Sequence, residues 1–154
     1  MEINYSVNTD NTITIVEILD PVEIINIPPT IDGYTVTAIG RDIIPMGTKS
    51  KVKSISLPNT IKTIGSYAFN DLRYLKCLSL EEGLEEIAPF GIYTCPDLLE
   101  IKIPASIKIL GEYSFGYMYE HARSYKQNYF TVICKDGSYA HQYAKENNLT
   151  FKLY

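Results

Sequence analysis

Along much of the chain, apolar residues return in a fixed figure: apolar-x-x-apolar-x-apolar, a polar break, then two more apolar positions three apart. Val52, Ile55 and Leu57 are followed by Ile61 and Ile64, and Leu75, Leu78 and Leu80 by Leu84 and Ile87. Leu98, Ile101 and Ile103 are followed in the same way by Ile107 and Leu110. Ile55, Leu78 and Ile101 stand 23 residues apart, and the other positions keep step with them. A constant period over many apolar sites is the signature of a repeat architecture. Pro58 recurs as Pro104, with Glu81 between them, while Tyr67, Phe90 and Tyr113 fall in register, as do Phe69, Ile92 and Phe115.

Each copy opens with alternating positions, which predicts a short strand with two side chains inward and two outward. The proline ends ladder pairing. The chain then turns back, and Ile61 and Ile64 should close the opposite wall. Phe69 and Phe115 are expected to plug the interior. Gly65 and Gly111 are read as turn residues, free to adopt a conformation that a branched residue resists. One copy cannot hide its apolar side alone, but stacked copies form one core. A degenerate earlier copy, Val22-Glu23-Ile24-Ile25-Asn26-Ile27-Pro28 to Ile39-Gly40, carries a turn signal at Asp32-Gly33 and is followed by a loop over Pro45–Lys51. The sequence thus predicts three regular copies, one irregular copy and a cap at each end.

The N-terminal cap is a predicted β-hairpin: Ile3, Tyr5 and Val7 precede Asn8-Thr9-Asp10-Asn11, and Ile13, Ile15 and Ile18 follow. The C-terminal cap is a strand at Phe130–Cys134, a turn at Asp136-Gly137 and a helix from Tyr139 to Asn147 with Ser138 as N-cap, then a last strand at Leu149–Leu153. The expected organisation is a single domain over 1–154, with caps at 1–21 and 128–154 and repeats between.

The run Ile55-Ser56-Leu57-Pro58…Ile61…Ile64-Gly65…Ala68-Phe69 resembles the BspA-like leucine-rich repeat family, as does Ile101-Lys102-Ile103-Pro104…Ile107…Leu110-Gly111…Phe115. Cys95-Pro96-Asp97-Leu98 is similar to that family's cysteine-x-x-leucine repeat close, with Leu72 and Met118 replacing the cysteine elsewhere and Ala88 replacing the glycine. The resemblance implies a leucine-rich-repeat solenoid, with a parallel concave sheet of short strands. It also implies a non-enzymatic interaction module of the cell surface or secreted space, acting in adhesion or host-protein binding. The alternative is a structural spacer or intracellular scaffold repeat.

Composition narrows these classes. The chain of 154 residues is 45% apolar and 21% charged, as ordered globular chains are. A net charge of −4 offers no basic field for nucleic acid. No apolar run approaches the ~20 residues that span a bilayer, so no membrane insertion is expected. Met1–Ser6 does not read as a signal peptide, which suits either a trimmed secreted parent or a cytoplasmic chain. The three cysteines, Cys77, Cys95 and Cys134, suit small apolar fillers better than a disulfide framework.

No nucleophile motif, phosphate loop or metal-ligand spacing appears, so no catalytic residue, cofactor or metal is predicted. His121 and His141 read as isolated surface histidines, and Glu81, Glu82, Glu85 and Glu86 as a solvated edge. Recognition is expected on the outward strand positions: Ile24 and Asn26, Ser54 and Ser56, Cys77 and Ser79, Glu100 and Lys102, Thr131 and Ile133, with Lys53 and Lys76 at the neighbouring edge. The alternative is an aromatic patch of Tyr113, Tyr117, Tyr119 and Tyr125, joined by Tyr129, in an irregular stretch before the last strand. The expected partner is a protein, met by a monomer or a weakly self-associating chain.

Overall fold

The computed structural model describes all of residues 1–154. The chain starts as the expected hairpin: β1 (Glu2–Val7) pairs antiparallel with β2 (Ile13–Leu19). Ile13, Ile15 and Ile18 are buried, which is why this register is fixed. The irregular copy follows as β3 (Ile24–Asn26), β4 (Thr30–Ile31) and β5 (Tyr34–Ile39), and β4 turns into β5 through Asp32 and Gly33 at φ 50° and 84°. Pro45–Lys51, expected as a loop, contains a 3-10 helix at Met46–Lys51. The regular copies contribute β6 (Ser54–Ser56) with β7 (Thr63–Ile64), β8 (Cys77–Ser79) with β9 (Glu86–Ile87), and β10 (Glu100–Lys102) with β11 (Ile109–Leu110).

Two parallel walls result. On the first, β3, β6 and β8 pair in register. On the second, β5, β7, β9 and β11 form a parallel ladder that joins the N-terminal hairpin through β2. This second wall, expected only as side chains closing a core, is therefore itself a sheet. Its strands are only two residues long in β7, β9 and β11, too short for alternation to reveal. Between the walls lie Ile55, Leu78 and Ile101, with Ile64 and Ile87 opposite and Phe69 and Phe115 fully buried, in one contiguous core. Each such side chain contributes about 1.5–3 kcal/mol by leaving water, so every added coil offsets its own ordering.

The tyrosine-rich stretch expected to be irregular is not so. β12 (Tyr117–Glu120) and β13 (Arg123–Lys126) form an antiparallel hairpin. Its two turn residues, His121 and Ala122, have φ 50° and 63°. Two-residue hairpin turns with both φ positive favour Asn-Gly, and His-Ala gives no such signal. Left-handed backbone costs about 1–2 kcal/mol at a residue with a Cβ. Replacing His121-Ala122 by Asn-Gly is therefore expected to stabilise the chain by about 1–2 kcal/mol, read as a higher urea midpoint at an unchanged slope.

The C-terminal segment then continues the first wall. β14 (Thr131–Cys134) pairs parallel with β10, and after α1 (Tyr139–Glu146) the last strand β15 (Thr150–Leu153) pairs parallel with β14. Six strands thus build the first wall, more coils than the predicted four. Ser138 caps α1 as expected, its hydroxyl accepting from the His141 N–H at 3.2 Å. His141, however, is buried rather than on an open polar face. β15 returns over it, so that its ring lies 4.7 Å from that of Phe151 and its Nδ1 accepts from the Gly137 N–H.

Candidate functional site

The outward positions of the first wall stand in columns, as their spacing predicts. Ile24, Ser54 and Cys77 are aligned, as are Asn26, Ser56 and Ser79. Beyond them Glu100 aligns with Thr131 and Thr150, and Lys102 with Ile133 and Lys152. Ile24, Asn26, Cys77, Glu100 and Lys102 are exposed, and the serines are half-buried between their neighbours.

The wall is not uniform. β3, β6 and β8 form one hydrogen-bonded sheet and β10, β14 and β15 another, so ladder pairing breaks between β8 and β10. A groove of about 430 Å³ lies along that seam. Six of the twelve predicted ladder and edge residues line it: Lys76, Cys77, Ser79, Glu100, Lys102 and Ile133. The other six do not. Ile24, Asn26, Ser54 and Ser56 lie up the wall, Thr131 stands beside Glu100 on β14, and Lys53 is paired with Glu23 at 3.1 Å.

Both signs of charge reach the seam. Glu82, on its rim, accepts from the Ala105 N–H at 2.9 Å and the Ser106 N–H at 3.1 Å. Those backbone bonds hold its carboxyl below the usual carboxylate range. Glu85 forms an ion pair with Lys108 at 2.8 Å, one coil away. In the acidic run Glu81 and Glu82 are exposed and Glu85 and Glu86 half-buried, and two of the four also tie consecutive coils together. Opposite, the Lys102 ammonium sits 4.5 Å over the Tyr154 ring, a cation–π contact that fixes where the positive charge stands.

The tyrosines do not form one patch. Tyr117 is buried and Tyr113 half-buried, their rings 4.8 Å apart. Tyr113 also stands 5.5 Å from Phe90, which is stacked 4.9 Å from Tyr67 at 6° between planes. Arg41 covers the end of this column, 4.6 Å over Tyr67. Tyr125 points its hydroxyl at Glu120, and Tyr129 stands alone and exposed. The 23-residue register of Tyr67, Phe90 and Tyr113 was the signal for the column; the tyrosine density after 113 was not.

The cysteines divide by burial. Cys95 donates its thiol to the Phe69 carbonyl at 3.2 Å, and burial pushes it up to about 12. Burial also raises Cys134. Both behave as the small core fillers expected, whereas Cys77 is exposed on the ladder.

Solved structures share this architecture. A leucine-rich repeat protein from Bacteroides capillosus is similar at TM-score 0.68 and 25% identity, over 86% of this chain and 94% of that one. The T. pallidum leucine-rich repeat protein matches at TM-score 0.64 and 20% identity, over 85% and 68% of the two chains. One from Bacteroides ovatus matches at 0.51 and 20% identity, over 88% of this chain and 48% of the other. Among proteins of curated function, none matches significantly. The repeat model described as "BspA type Leucine rich repeat region" matches residues 47–148 in six copies, a span that holds the regular coils from β6 to α1. With its coils, its ladder and its repeat spacing in agreement, this chain belongs to the BspA-type leucine-rich repeat family.

Proposed function

We propose that the solenoid is a non-enzymatic protein-interaction module that meets its partner on the outward face of the first wall, centred on the seam between β8 and β10. Leucine-rich repeat modules generally bind proteins. The observation that carries the reading to this place is the convergence of Lys76, Glu82, Glu100 and Lys102 on one groove. Opposed charges at fixed positions give register and partner choice more than raw affinity. Interface hot spots are usually Trp, Tyr or Arg, and the serine columns of β6 and β8 supply none. The contact is therefore of moderate strength, made by a monomeric chain and strengthened where several copies engage at once. Family membership supports a place at the cell surface, where the role proposed is adhesion to host protein. No helix is long and apolar enough to cross a membrane.

The test is retention of proteins from host extracellular-matrix extract and from cell lysate, on the wild type and on Lys76→Glu/Lys102→Glu. Reversing both charges is expected to weaken a retained partner at least tenfold, about 1.4 kcal/mol. A partner held equally by both proteins would move the site elsewhere. No partner in either source would favour a structural spacer. Retention from lysate alone would place the module inside the cell.

A further inference from the structure

A second concavity, of about 500 Å³, shares no residue with the seam groove. It falls within the range of about 300–1,000 Å³ typical of small-molecule clefts. Tyr67 and Phe90 form its aromatic bed and Tyr119, from the β12–β13 hairpin, its exposed wall. The bed is rigid. Tyr67 and Phe90 are stacked on each other, and buried Tyr93 meets both rings edge-on, at 6.4 and 5.1 Å between centroids. The wall is anchored too. The Tyr119 N–H donates to the Thr94 hydroxyl at 3.1 Å, and Ser124 of the same hairpin is hydrogen-bonded to the Tyr93 hydroxyl.

The polar rim is as definite. Arg73 Nε donates to Asp71 Oδ1 at 2.7 Å, and both side chains are about half exposed. That geometry leaves the second Asp71 oxygen as an acceptor beside the terminal N–H groups of Arg73 as donors. Asn70 holds Lys49 Nζ with its backbone carbonyl at 2.7 Å, and its carboxamide, which bonds no protein group, adds a donor and an acceptor. The rim charges cancel, so the cleft does not select a charged ligand. Paired donors and acceptors beside aromatic carbon match a molecule that has vicinal hydroxyls on its edge and a C–H face.

We infer that this cleft is a binding site for a neutral saccharide, one or two pyranose rings, whose C–H face lies on Tyr119 while its hydroxyls meet Asp71, Arg73 and Asn70. The ligand stands free or at the end of a glycan on a glycoprotein. The site deepens the proposed role without depending on it. The seam residues Lys76 and Lys102 do not line the cleft, so each reading can fail alone.

Saturation-transfer NMR on the whole chain tests the inference, with glucose, galactose, mannose and N-acetylglucosamine and their β-1,4- and α-1,4-linked disaccharides as probes. At least one is expected to bind, and Tyr119→Ala and Arg73→Met are each expected to weaken it tenfold or more with the thermal midpoint unchanged. Retention on a glycoprotein column that is lost on enzymatic deglycosylation would assign the sugar to a glycoconjugate. Binding of free disaccharides alone would assign it to a soluble saccharide. The inference is overturned if no probe binds, if binding survives both substitutions, or if an aromatic peptide occupies the cleft where sugars do not.

Discussion

Phe115→Ala should lower the unfolding free energy by about 3–5 kcal/mol, a large part of the roughly 5–15 kcal/mol that holds a domain folded. Phe115 is fully buried, 5.1 Å from the Tyr143 ring of α1 and 6.3 Å from that of Phe130, the residue before β14. It is the plug between the third regular copy and the C-terminal coils. Truncation loses the transfer free energy of the ring and leaves a cavity that these neighbours, held by the β10–β14 ladder and by α1, cannot collapse to fill. Because a solenoid is stabilised coil by coil through nearest neighbours, the loss should be local. Amide exchange is expected to accelerate first in β14, α1 and β15, while β1 and β2 stay protected. Urea unfolding followed by circular dichroism gives the size of the effect. Uniform acceleration along the chain would instead mean that the solenoid unfolds as one unit.

The periodic core was legible because its determinants are local. Ile55, Leu78 and Ile101 sit on 23-residue steps, and each falls between the walls. The outward columns were legible for the same reason, since strand alternation fixes which side chains leave the core. Whether neighbouring columns pair was not. The break between β8 and β10, which makes the seam groove, depends on how two coils meet and leaves no trace in either. The saccharide cleft was hidden further, since it joins residues 67–73 and 90–94 to the tip of a hairpin around residue 121 that has no turn signal. Its aromatic bed also stands on backbone that propensity argues against. Tyr67 and Phe90 have φ of 58° and 59°, as Tyr113, next in the column outside the cleft, has 51°. Stacking of successive rings, worth about 0.5–1.5 kcal/mol per pair, helps offset that strain and turns the aromatics outward. Residue counting alone placed the tyrosines of 113–129 together; burial of Tyr117 in the column and the isolation of Tyr129 separate them.

The glycines are a case in which the residue was picked out for the wrong physical reason, and the right one carries a sharp expectation. Gly65 and Gly111 do not take left-handed φ; that conformation falls two residues later, at Tyr67 and Tyr113. What they provide is close approach. The Gly65 N–H donates to the Ile39 carbonyl at 2.8 Å and the Gly111 N–H to the Ile87 carbonyl at 2.9 Å. A Cβ on Gly111 would stand 2.3 Å from Pro89 N, 2.5 Å from Pro89 Cδ and 2.7 Å from the Ala88 carbonyl carbon. Two of these three are backbone atoms that cannot rotate away. Gly111→Ala is therefore expected to destabilise by about 3 kcal/mol or more, at the upper end for overpacking, because the coils must part at a ladder hydrogen bond. At the equivalent place one coil earlier stands Ala88, whose N–H donates to the Ile64 carbonyl at 2.9 Å and whose neighbours in register one coil back are Gly65 and Ser66 rather than a proline. Gly111 instead sits on Ala88-Pro89, where the proline ring fills the space. Pro89→Ser in the same chain removes the Cδ contact but not the backbone ones, so a double-mutant cycle should show partial rescue. Gly47→Ala is the control: a Cβ there meets nothing within 4 Å, and the urea midpoint should hardly move. Equal losses at Gly47 and Gly111 would overturn the close-approach account, since Gly→Ala where there is room only restricts the unfolded chain and so stabilises; full rescue by Pro89→Ser would trace the effect to the proline ring alone.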